Sequence, residues 1–273
     1  MQQSIRDRLH ISHSQITTYR NCPLKYFFRY VQGIQPPFRS PALVFGSAMH
    51  QALATLYSSL KATGDAMDSA SLQELFHESF SDQLRQNLPI RWTAKETAES
   101  LEKLGCQLME VYLEFAEKQG LLGDAYRIVA VELPLRWTID MPTGEIDFVG
   151  IVDLLLQDKK EPAKFHIIDH KTAARRFDEM KITTDDQLTA YQLLLRHAAD
   201  LPQEALFTLH WDVLLKQKVP AVTRYTTVRD EDDERHLQKV IRQILWAIDH
   251  EVYYPNPGWM CAGCEFADHC RAW

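Results

Sequence analysis

Acidic side chains and one lysine interrupt two apolar segments in the middle of the chain. Asp153 lies inside IVDLLL, and Asp169 and Lys171 lie at the end of KFHIIDHKT. Residues two apart on a strand face the same side, so Asp169 and Lys171 are expected to project together. Buried strands seldom carry a carboxylate and an ammonium on one face unless these groups pair or bind something. Carboxylates from adjacent strands can hold Mg²⁺, and a neighbouring lysine can orient a water nucleophile or stabilise charge on a phosphate.

A structural interpretation of these residues stays open, because a buried Asp–Lys ion pair beside an unrelated aspartate would give the same pattern. Further polar residues favour the chemical interpretation. Glu132 lies in the apolar segment VAVELPL, and His50 lies on a predicted amphipathic helix. Gln187 and Tyr191 are spaced i, i+4 on a later predicted helix and so share one face. Each of these residues is ordinary on its own.

The cysteines form a second pattern. The chain has five, and an odd number argues against a disulfide framework. Cys261, Cys264 and Cys270 crowd the tail NPGWMCAGCEFADHC, which is one ligand short of a four-thiolate site. Cys22 is the natural fourth ligand, and Cys106 is expected to be an ordinary buried thiol. The spacing alone leaves zinc and an iron–sulfur cluster as open alternatives.

The predicted helices and strands that carry these residues indicate a mixed α/β fold. Helical spacing predicts helices at 11–22, 23–31, 44–60, 71–84, 93–118, 183–198 and 229–252. Apolar β-branched runs predict strands at 126–139, 145–157, 164–172, 205–215 and 222–228, the first two forming a hairpin through MPTG. This order is not a regular βαβ alternation, so we expect a mixed central sheet flanked by helices.

We expect a single domain without linkers or repeats. It would comprise a mainly helical region over residues 1–120, a catalytic α/β core over 121–254 and a cysteine-rich tail over 255–273. The net charge of −7 argues against a protein that coats nucleic acid through bulk positive charge, but it does not exclude a nuclease. The opening MQQSIRDRLH has no apolar core of a secretory signal, and no run is long enough to span a bilayer, so a cytoplasmic location is expected.

Taken in order, these segments resemble the PD-(D/E)XK nuclease superfamily. The resemblance rests on GSAMH, VAVEL, GIVDLLL, IIDHKT and DDQLTAYQLLL. Within that superfamily, the segments most resemble the RecB-like branch. This branch includes the nuclease domains of bacterial recombination helicase–nucleases and the CRISPR-adaptation exonucleases. The similarity extends from SHSQITTYRNCPLKYFFRY to the last cysteine, and the order and spacing of the short motifs make it specific.

The resemblance implies a role for each matching position. His50, Asp153 and Asp169 would bind a divalent metal, Mg²⁺ or Mn²⁺, together with the main-chain carbonyl of His170. Glu132 would be a further acidic ligand, direct or through water. Lys171 would be the catalytic lysine. Gln187 and Tyr191 would position the DNA backbone or that lysine.

The resemblance also bears on the cysteines, because relatives of this type hold a 4Fe-4S cluster with one N-terminal and three C-terminal cysteines. It therefore favours a cluster on Cys22, Cys261, Cys264 and Cys270. Such a cluster would close a loop around almost the whole chain, so a structural role is expected.

Two further features concern nucleic acid. The segment RNCPLKYFFRY interleaves cations with aromatic rings, as single-strand stacking platforms do, although for most of the rings the favoured interpretation is that they pack around the cluster while the basic residues face solvent. Arg175 and Arg176, just beyond the Lys171 strand, are better candidates for phosphate contact.

The expected function is metal-dependent cleavage of DNA, with an exonuclease on single strands or ends favoured over a site-specific endonuclease. No phosphate-binding loop of a helicase is present, so the protein would act alone or with a helicase or CRISPR-adaptation partner. The alternatives are a catalytically silent iron–sulfur subunit that binds DNA or scaffolds a complex, and a zinc-dependent regulatory protein.

Overall fold

A computed structural model describes residues 10–94, 96–142 and 144–273 of the chain. The expectation that the chain opens without a secretory signal concerns residues 1–9, which lie outside the described residues. Thr143 of the predicted MPTG turn also lies outside them.

The centre of the described structure is a six-stranded mixed sheet. Its strands are β1 (His10–Ser12), β2 (Tyr126–Met141), β3 (Gly144–Asp158), β4 (Lys164–Ala173), β5 (Leu206–Leu215) and β6 (Ala221–Thr227). The order is β1-β3-β4-β5-β6, with β2 also paired to β3. The pairs β1–β3 and β4–β5 are parallel and the others antiparallel, which confirms the predicted mixed α/β class.

One edge of β3 is shared by two strands that do not meet. β2 pairs with the other edge along nearly the whole of β3. On the shared edge, β4 pairs with residues 154–157 and β1 pairs with residues 147–149. The four residues between these ladders, 150–153, have no ladder partner there within the described part of the chain. The sheet is therefore split at the position of Asp153.

Helices cover both faces of the sheet. They are α1 (His13–Asn21), α2 (Pro23–Tyr26), α3 (Pro41–Thr63), α4 (Ser69–Leu84), α5 (Ala98–Lys118), α6 (Glu179–Thr184), α7 (Gln187–Ala198), α8 (Glu231–Asp249) and α9 (Ala267–Ala272). Leu154 and Leu156 join the core beneath α3, α4 and α5, whereas Leu155 joins the core beneath α1, α7 and α8. Alternate side chains of β3 thus point to opposite faces of the sheet and pack into two separate cores.

Several element boundaries differ from the predicted ones because caps override apolar spacing. α3 begins at Pro41 behind the N-cap Ser40, three residues before the predicted start at Val44. α5 begins only at Ala98, because Thr97 caps it with a hydrogen bond from the Ser100 amide. Ser12 caps α1 in the same way, since its side chain accepts from the amide of Gln15 at 3.3 Å.

Short elements escaped the sequence patterns altogether. The predicted helix at 23–31 divides into α2 and a π-helical turn at Phe27–Val31. β1 and α6 lie inside segments that were predicted as helix or loop. The cysteine-rich tail contains a 3₁₀ turn at Trp259–Gly263 and then α9. None of these elements is long enough to carry a periodic signal.

Candidate active site

Three potential metal ligands meet where the sheet splits. A ligand atom from each of His50, Glu132 and Asp153 lies within 4.8 Å of the others. His50 comes from α3, and its Nδ1 is 3.2 Å from Oδ2 of Asp153. Glu132 lies on β2 between the residues that pair with Leu154 and Val152, so it stands opposite Asp153. Its φ of 47° is in the left-handed region, which is uncommon outside glycine and is a recurrent feature of functional sites.

A second group surrounds Asp169 at the end of β4. Lys171 Nζ lies 2.7 Å from Oδ1 and 2.6 Å from Oδ2 of the fully buried Asp169. Gln187, the first residue of α7, donates to Asp169 Oδ1 at 2.9 Å and to the Tyr191 hydroxyl at 2.8 Å. Tyr191 lies 3.4 Å from the same Oδ1. The predicted grouping of Lys171, Gln187 and Tyr191 therefore has a common centre in Asp169.

The backbone of His170 joins the two groups. Its amide donates to Asp153 Oδ2 at 2.8 Å, across the point where the β3–β4 ladder ends. Its ring packs against Tyr57 and Tyr112 of the helical layer, with Nδ1 3.7 Å from Asp153 Oδ2. Both the main chain and the imidazole of His170 therefore lie beside Asp153.

The pKa values of Glu132, Asp153 and His50 are shifted because two carboxylates and a histidine lie close together. Burial and the charge of Asp153 raise the pKa of Glu132 to about 7. Burial opposes ionisation of both His50 and Asp153, but their mutual hydrogen bond and charge attraction lower the pKa of Asp153 and raise that of His50. Burial raises the pKa of Asp169, although Lys171 opposes the shift.

These donors fit a divalent cation. Two carboxylates and one imidazole converge, and burial together with the charge of Asp153 raises the pKa of Glu132, an unfavourable effect that a divalent cation would offset. An oxygen-rich set with one imidazole suits Mg²⁺ or Mn²⁺ better than a soft metal. Asp169 is outside this set of three, and its carboxylate pairs with Lys171, so its role as a metal ligand stays a prediction.

A cleft of about 1070 Å³ opens onto the site from the side of α1 and α7. Asp153, Lys171 and Gln187 line this cleft together with Arg29 and Tyr30 of the π-helical turn, whereas His50 and Glu132 line a separate cavity. The Arg29 guanidinium carbon lies 5.5 Å from the centre of the Tyr30 ring. The cleft also contains His10, His13, Tyr26 and Lys181. It thus combines cations and aromatic rings next to the acidic centre.

The predicted nucleic-acid residues divide into two sets. Tyr19, Tyr26 and Phe28 of the aromatic segment are buried, so these rings serve mainly as core. Arg29 and Tyr30 reach the cleft. Arg175 and Arg176 are exposed on the loop after β4 but do not line the cleft.

The four cysteines predicted to act together line one small cavity of about 200 Å³. Cys22 approaches it from the start of α2, and Cys261, Cys264 and Cys270 approach from the tail. Leu24, Phe28 and Phe266 form an apolar cluster against them. Cys106 lies elsewhere, against the core of the helical layer, and is only partly buried rather than the buried thiol that was expected.

The sequence patterns did not indicate several residues that pack against the site residues. The Tyr112 hydroxyl on α5 lies 2.8 Å from His170 Nε2, and the Tyr57 hydroxyl lies 2.7 Å from that of Tyr112. Gly150 was also missed, although a Cβ there would lie 2.6 Å from Leu194 of α7. These contacts join residues far apart in the chain, so no local spacing could have indicated them.

Comparison with known proteins gives a family and a fold. Residues 10–271 match the model of the PD-(D/E)XK nuclease superfamily. A crystal structure of a protein from Eubacterium rectale, named a "putative exonuclease", matches all of this chain over 93% of its own length, with 14% identity and a TM-score of 0.53. The structure of SSO0001 covers 91% of this chain and 94% of its own, with 13% identity and a TM-score of 0.39. The search of curated proteins gives no match. No described helix is long and apolar enough to cross a membrane.

Proposed function

Because this chain belongs to the PD-(D/E)XK nuclease superfamily, we propose that it is a divalent-metal-dependent deoxyribonuclease acting on single-stranded DNA or DNA ends. One observation carries the proposal: His50, Glu132 and Asp153 converge at a split in the sheet. Lys171 lines the same cleft as Asp153. An isolated Asp–Lys ion pair would not need a histidine and a second acid aimed at the same point.

Each side chain of the site would have its own role in phosphodiester hydrolysis. A bound Mg²⁺ or Mn²⁺ would supply Lewis-acid stabilisation of the phosphate and a more acidic water. His50, Glu132, Asp153 and Asp169 with the His170 carbonyl would hold it. Lys171, fixed by both oxygens of Asp169, would orient the water or neutralise charge that develops on the phosphate.

Gln187 and Tyr191 hold the Asp169 carboxylate and the Lys171 ammonium in a fixed relative position. The Gln187 amide bridges Asp169 and the Tyr191 hydroxyl, which fixes the carboxylate that orients the lysine. Burial raises the pKa of Tyr191 well above its usual value, so the hydroxyl stays protonated and available as a donor. Gln187 also lines the cleft, where its amide can reach a DNA backbone.

The cleft supports a strand of DNA as substrate. Arg29 and Lys181 offer charge for phosphates, and Tyr30 offers a ring for base stacking in the cleft that Lys171 also lines. Arg175 and Arg176 would contact phosphates further along the strand. An exonuclease of the RecB-like branch is the form of activity that this arrangement supports best.

The tail supports the second part of the proposal, a 4Fe-4S cluster on Cys22, Cys261, Cys264 and Cys270. All four cysteines line one cavity of about 200 Å³, so four thiolates are available to one metal centre. The resemblance to relatives with one N-terminal and three C-terminal cysteines favours a 4Fe-4S cluster there, and a zinc ion on the same thiolates is the alternative.

In this proposal the cluster is structural and the chain is one nuclease domain: a helical region at 1–120, the catalytic core at 121–254 and the tail at 255–273. Reduced thiols and a cluster suit the cytoplasm. A helicase or a CRISPR-adaptation protein would be the partner that presents the strand.

End-labelled oligonucleotides test the activity. Purified protein should shorten single-stranded DNA from an end with Mg²⁺ or Mn²⁺, while EDTA should stop the reaction and Ca²⁺ should not restore it. Activity that survives chelation would exclude the metal mechanism.

The competing function is a catalytically silent iron–sulfur subunit that binds or scaffolds DNA. Retention of Lys171 with both oxygens of Asp169 favours catalysis, because a silent subunit has no need of that geometry. Tight binding of single-stranded DNA without cleavage under any of these metals would establish the silent subunit instead.

A further inference from the structure

A buried chain of hydroxyl and imidazole groups leads from the helical layer to the back of the active site. The Tyr57 hydroxyl on α3 lies 2.7 Å from the Tyr112 hydroxyl on α5, which lies 2.8 Å from Nε2 of His170. The Tyr57 and Tyr112 side chains are fully buried, and His170 is 4% exposed. Buried polar groups of this kind are held only where each finds a partner, so the three side chains act as a unit.

The hydrogen-bond partners determine which group donates and which accepts along this series of side chains. His170 Nδ1 faces Asp153 Oδ2 at 3.7 Å. A carboxylate only accepts, so the hydrogen of the neutral ring belongs on Nδ1. Nε2 then accepts from the Tyr112 hydroxyl, whose oxygen in turn accepts from the Tyr57 hydroxyl. Every donor therefore points toward Asp153.

Ring packing fixes the imidazole as firmly as these hydrogen bonds do. The Tyr57 ring stacks on His170 with 6.0 Å between centroids and 19° between planes. The Tyr112 ring meets it edge-on, at 5.6 Å and 72°. Because the ring cannot turn, the His170 main chain is held in place, and its amide remains 2.8 Å from Asp153 Oδ2.

We propose that Tyr112 and Tyr57 are positioning residues that orient Asp153 for metal binding through His170. This inference rests on the proposed function, since it concerns the affinity of that site for its metal. Outer groups that orient a ligand typically change metal affinity or activity by 10–100-fold when they are removed. Asp153 is the ligand affected, because it receives both the amide and the facing imidazole of His170.

The test is the affinity for Mn²⁺ in the absence of DNA, measured from the electron paramagnetic resonance signal of free Mn²⁺. Tyr112→Phe keeps the ring but removes the donor to His170, and should weaken Mn²⁺ binding about 10-fold. Tyr57→Phe leaves that donor in place and should weaken binding only about two- to threefold, a fraction of the Tyr112→Phe effect. Tyr253→Phe is the control, because its hydroxyl bonds to the Ile248 carbonyl at 3.1 Å, away from Asp153.

A merely structural role predicts a different result. Tyr112→Phe and Tyr253→Phe would then lower the melting temperature by similar amounts, and both would bind Mn²⁺ as tightly as the wild type. That outcome would overturn the positioning role while leaving the nuclease proposal intact. Absence of Mn²⁺ binding in the wild-type protein would instead overturn the proposed function, and the inference with it. If Tyr112→Phe does not fold, wild-type affinity in Tyr57→Phe is the result that overturns the positioning role.

Discussion

The acidic site and the cysteine cavity are assembled in opposite ways. Asp153, Asp169 and Lys171 are carried by β3 and β4, two neighbouring strands that are close in the chain. Cys22 and Cys261, by contrast, are brought to one cavity from nearly opposite ends of the chain. The carboxylates and the lysine of the first site come from neighbouring strands, with His50 added from α3, whereas the second site exists only when the two ends of the chain meet. We therefore expect changes at the acidic site to affect chemistry and changes at the cysteines to affect stability.

The largest expected effect is loss of cleavage without loss of fold. Lys171→Ala and Asp153→Ala remove the ammonium and the carboxylate of the cleft, and each should lower the cleavage rate by roughly 10²–10³-fold or more. Single-turnover cleavage of labelled single-stranded DNA, with iron content measured in parallel, tests this separation. A variant that cuts at the wild-type rate, or that loses its iron, would break the contrast between the two regions.

The cysteine variants should show the reverse order of effects. Replacing Cys22, Cys261, Cys264 or Cys270 by Ala should bleach anaerobically purified protein. Loss of several kcal/mol of metal-binding free energy should lower the melting temperature by about 10 °C, with activity falling as a consequence.

Cys106→Ala is the matched control, because Cys106 is also partly buried but lies in the helical layer. It should keep its iron and lose no more than about 1 kcal/mol of unfolding free energy. Iron and sulfide analysis with thermal melts checks all five variants. Stoichiometric zinc without sulfide would refute the cluster, and equal metal loss in Cys106→Ala would refute the ligand assignment.

A smaller effect should come from Gly150, which lets α7 approach the split in the sheet. An added Cβ would lie 2.6 Å from Leu194 Cδ1, and overpacking of this kind costs about 1–3 kcal/mol. Gly150→Ala should shift α7, misplace Gln187 and Tyr191, and lower the cleavage rate about tenfold.

Gly46→Ala is the matched control for that change. Gly46 lies on α3 one turn before His50, but its Cβ would meet only Thr172 Oγ1 at the ordinary distance of 3.6 Å. Rate and melting temperature should stay close to the wild-type values. Equal rates in the two variants would show that α7 does not need this close approach.

The smallest effect concerns acid stability and involves neither site. His166 Nδ1 lies 3.0 Å from His210 Nε2, and burial lowers the pKa values of these histidines to about 4 and about 3. Between pH 6.5 and 4 the unfolded chain binds protons that the folded chain does not, so the free energy of unfolding falls as the pH falls. The slope is at most about 1.4 kcal/mol per pH unit for each histidine.

Denaturant unfolding at pH 5.5 and pH 7 measures this slope. His166→Gln combined with His210→Gln removes both titrating groups and should flatten the slope relative to the wild type. An unchanged slope would mean that other groups control the acid stability.

The same contrast explains what the sequence could predict. Asp153, Asp169 and Lys171 interrupt long apolar strands, so their spacing indicated both the strands and the chemistry. The caps Ser40 and Thr97 shifted helix starts, because a side-chain hydrogen bond decides where a helix begins. β1 escaped prediction because three residues carry no period, and its pairing with β3 is what leaves Asp153 at an open edge.

Tertiary contacts set the rest of the site. Nothing near Tyr57 or Tyr112 in the sequence indicates that their hydroxyls meet, or that the Tyr112 hydroxyl lies against the ring of His170. Glu132 was predicted from its apolar strand, but the sequence did not indicate its left-handed backbone, with a φ of 47°. Such features depend on packing between elements, which local patterns do not encode.

The most direct measurement of the central claim is anomalous diffraction from crystals soaked in Mn²⁺. The account predicts one strong peak at coordinating distance, about 2.0–2.3 Å, from ligand atoms of His50 and Asp153 and on the same side as Glu132. The peak should disappear in Asp153→Ala crystals soaked in the same way. A strong Mn²⁺ peak elsewhere, with none between His50 and Asp153 in the wild type, would contradict the assignment of this site as the catalytic metal centre.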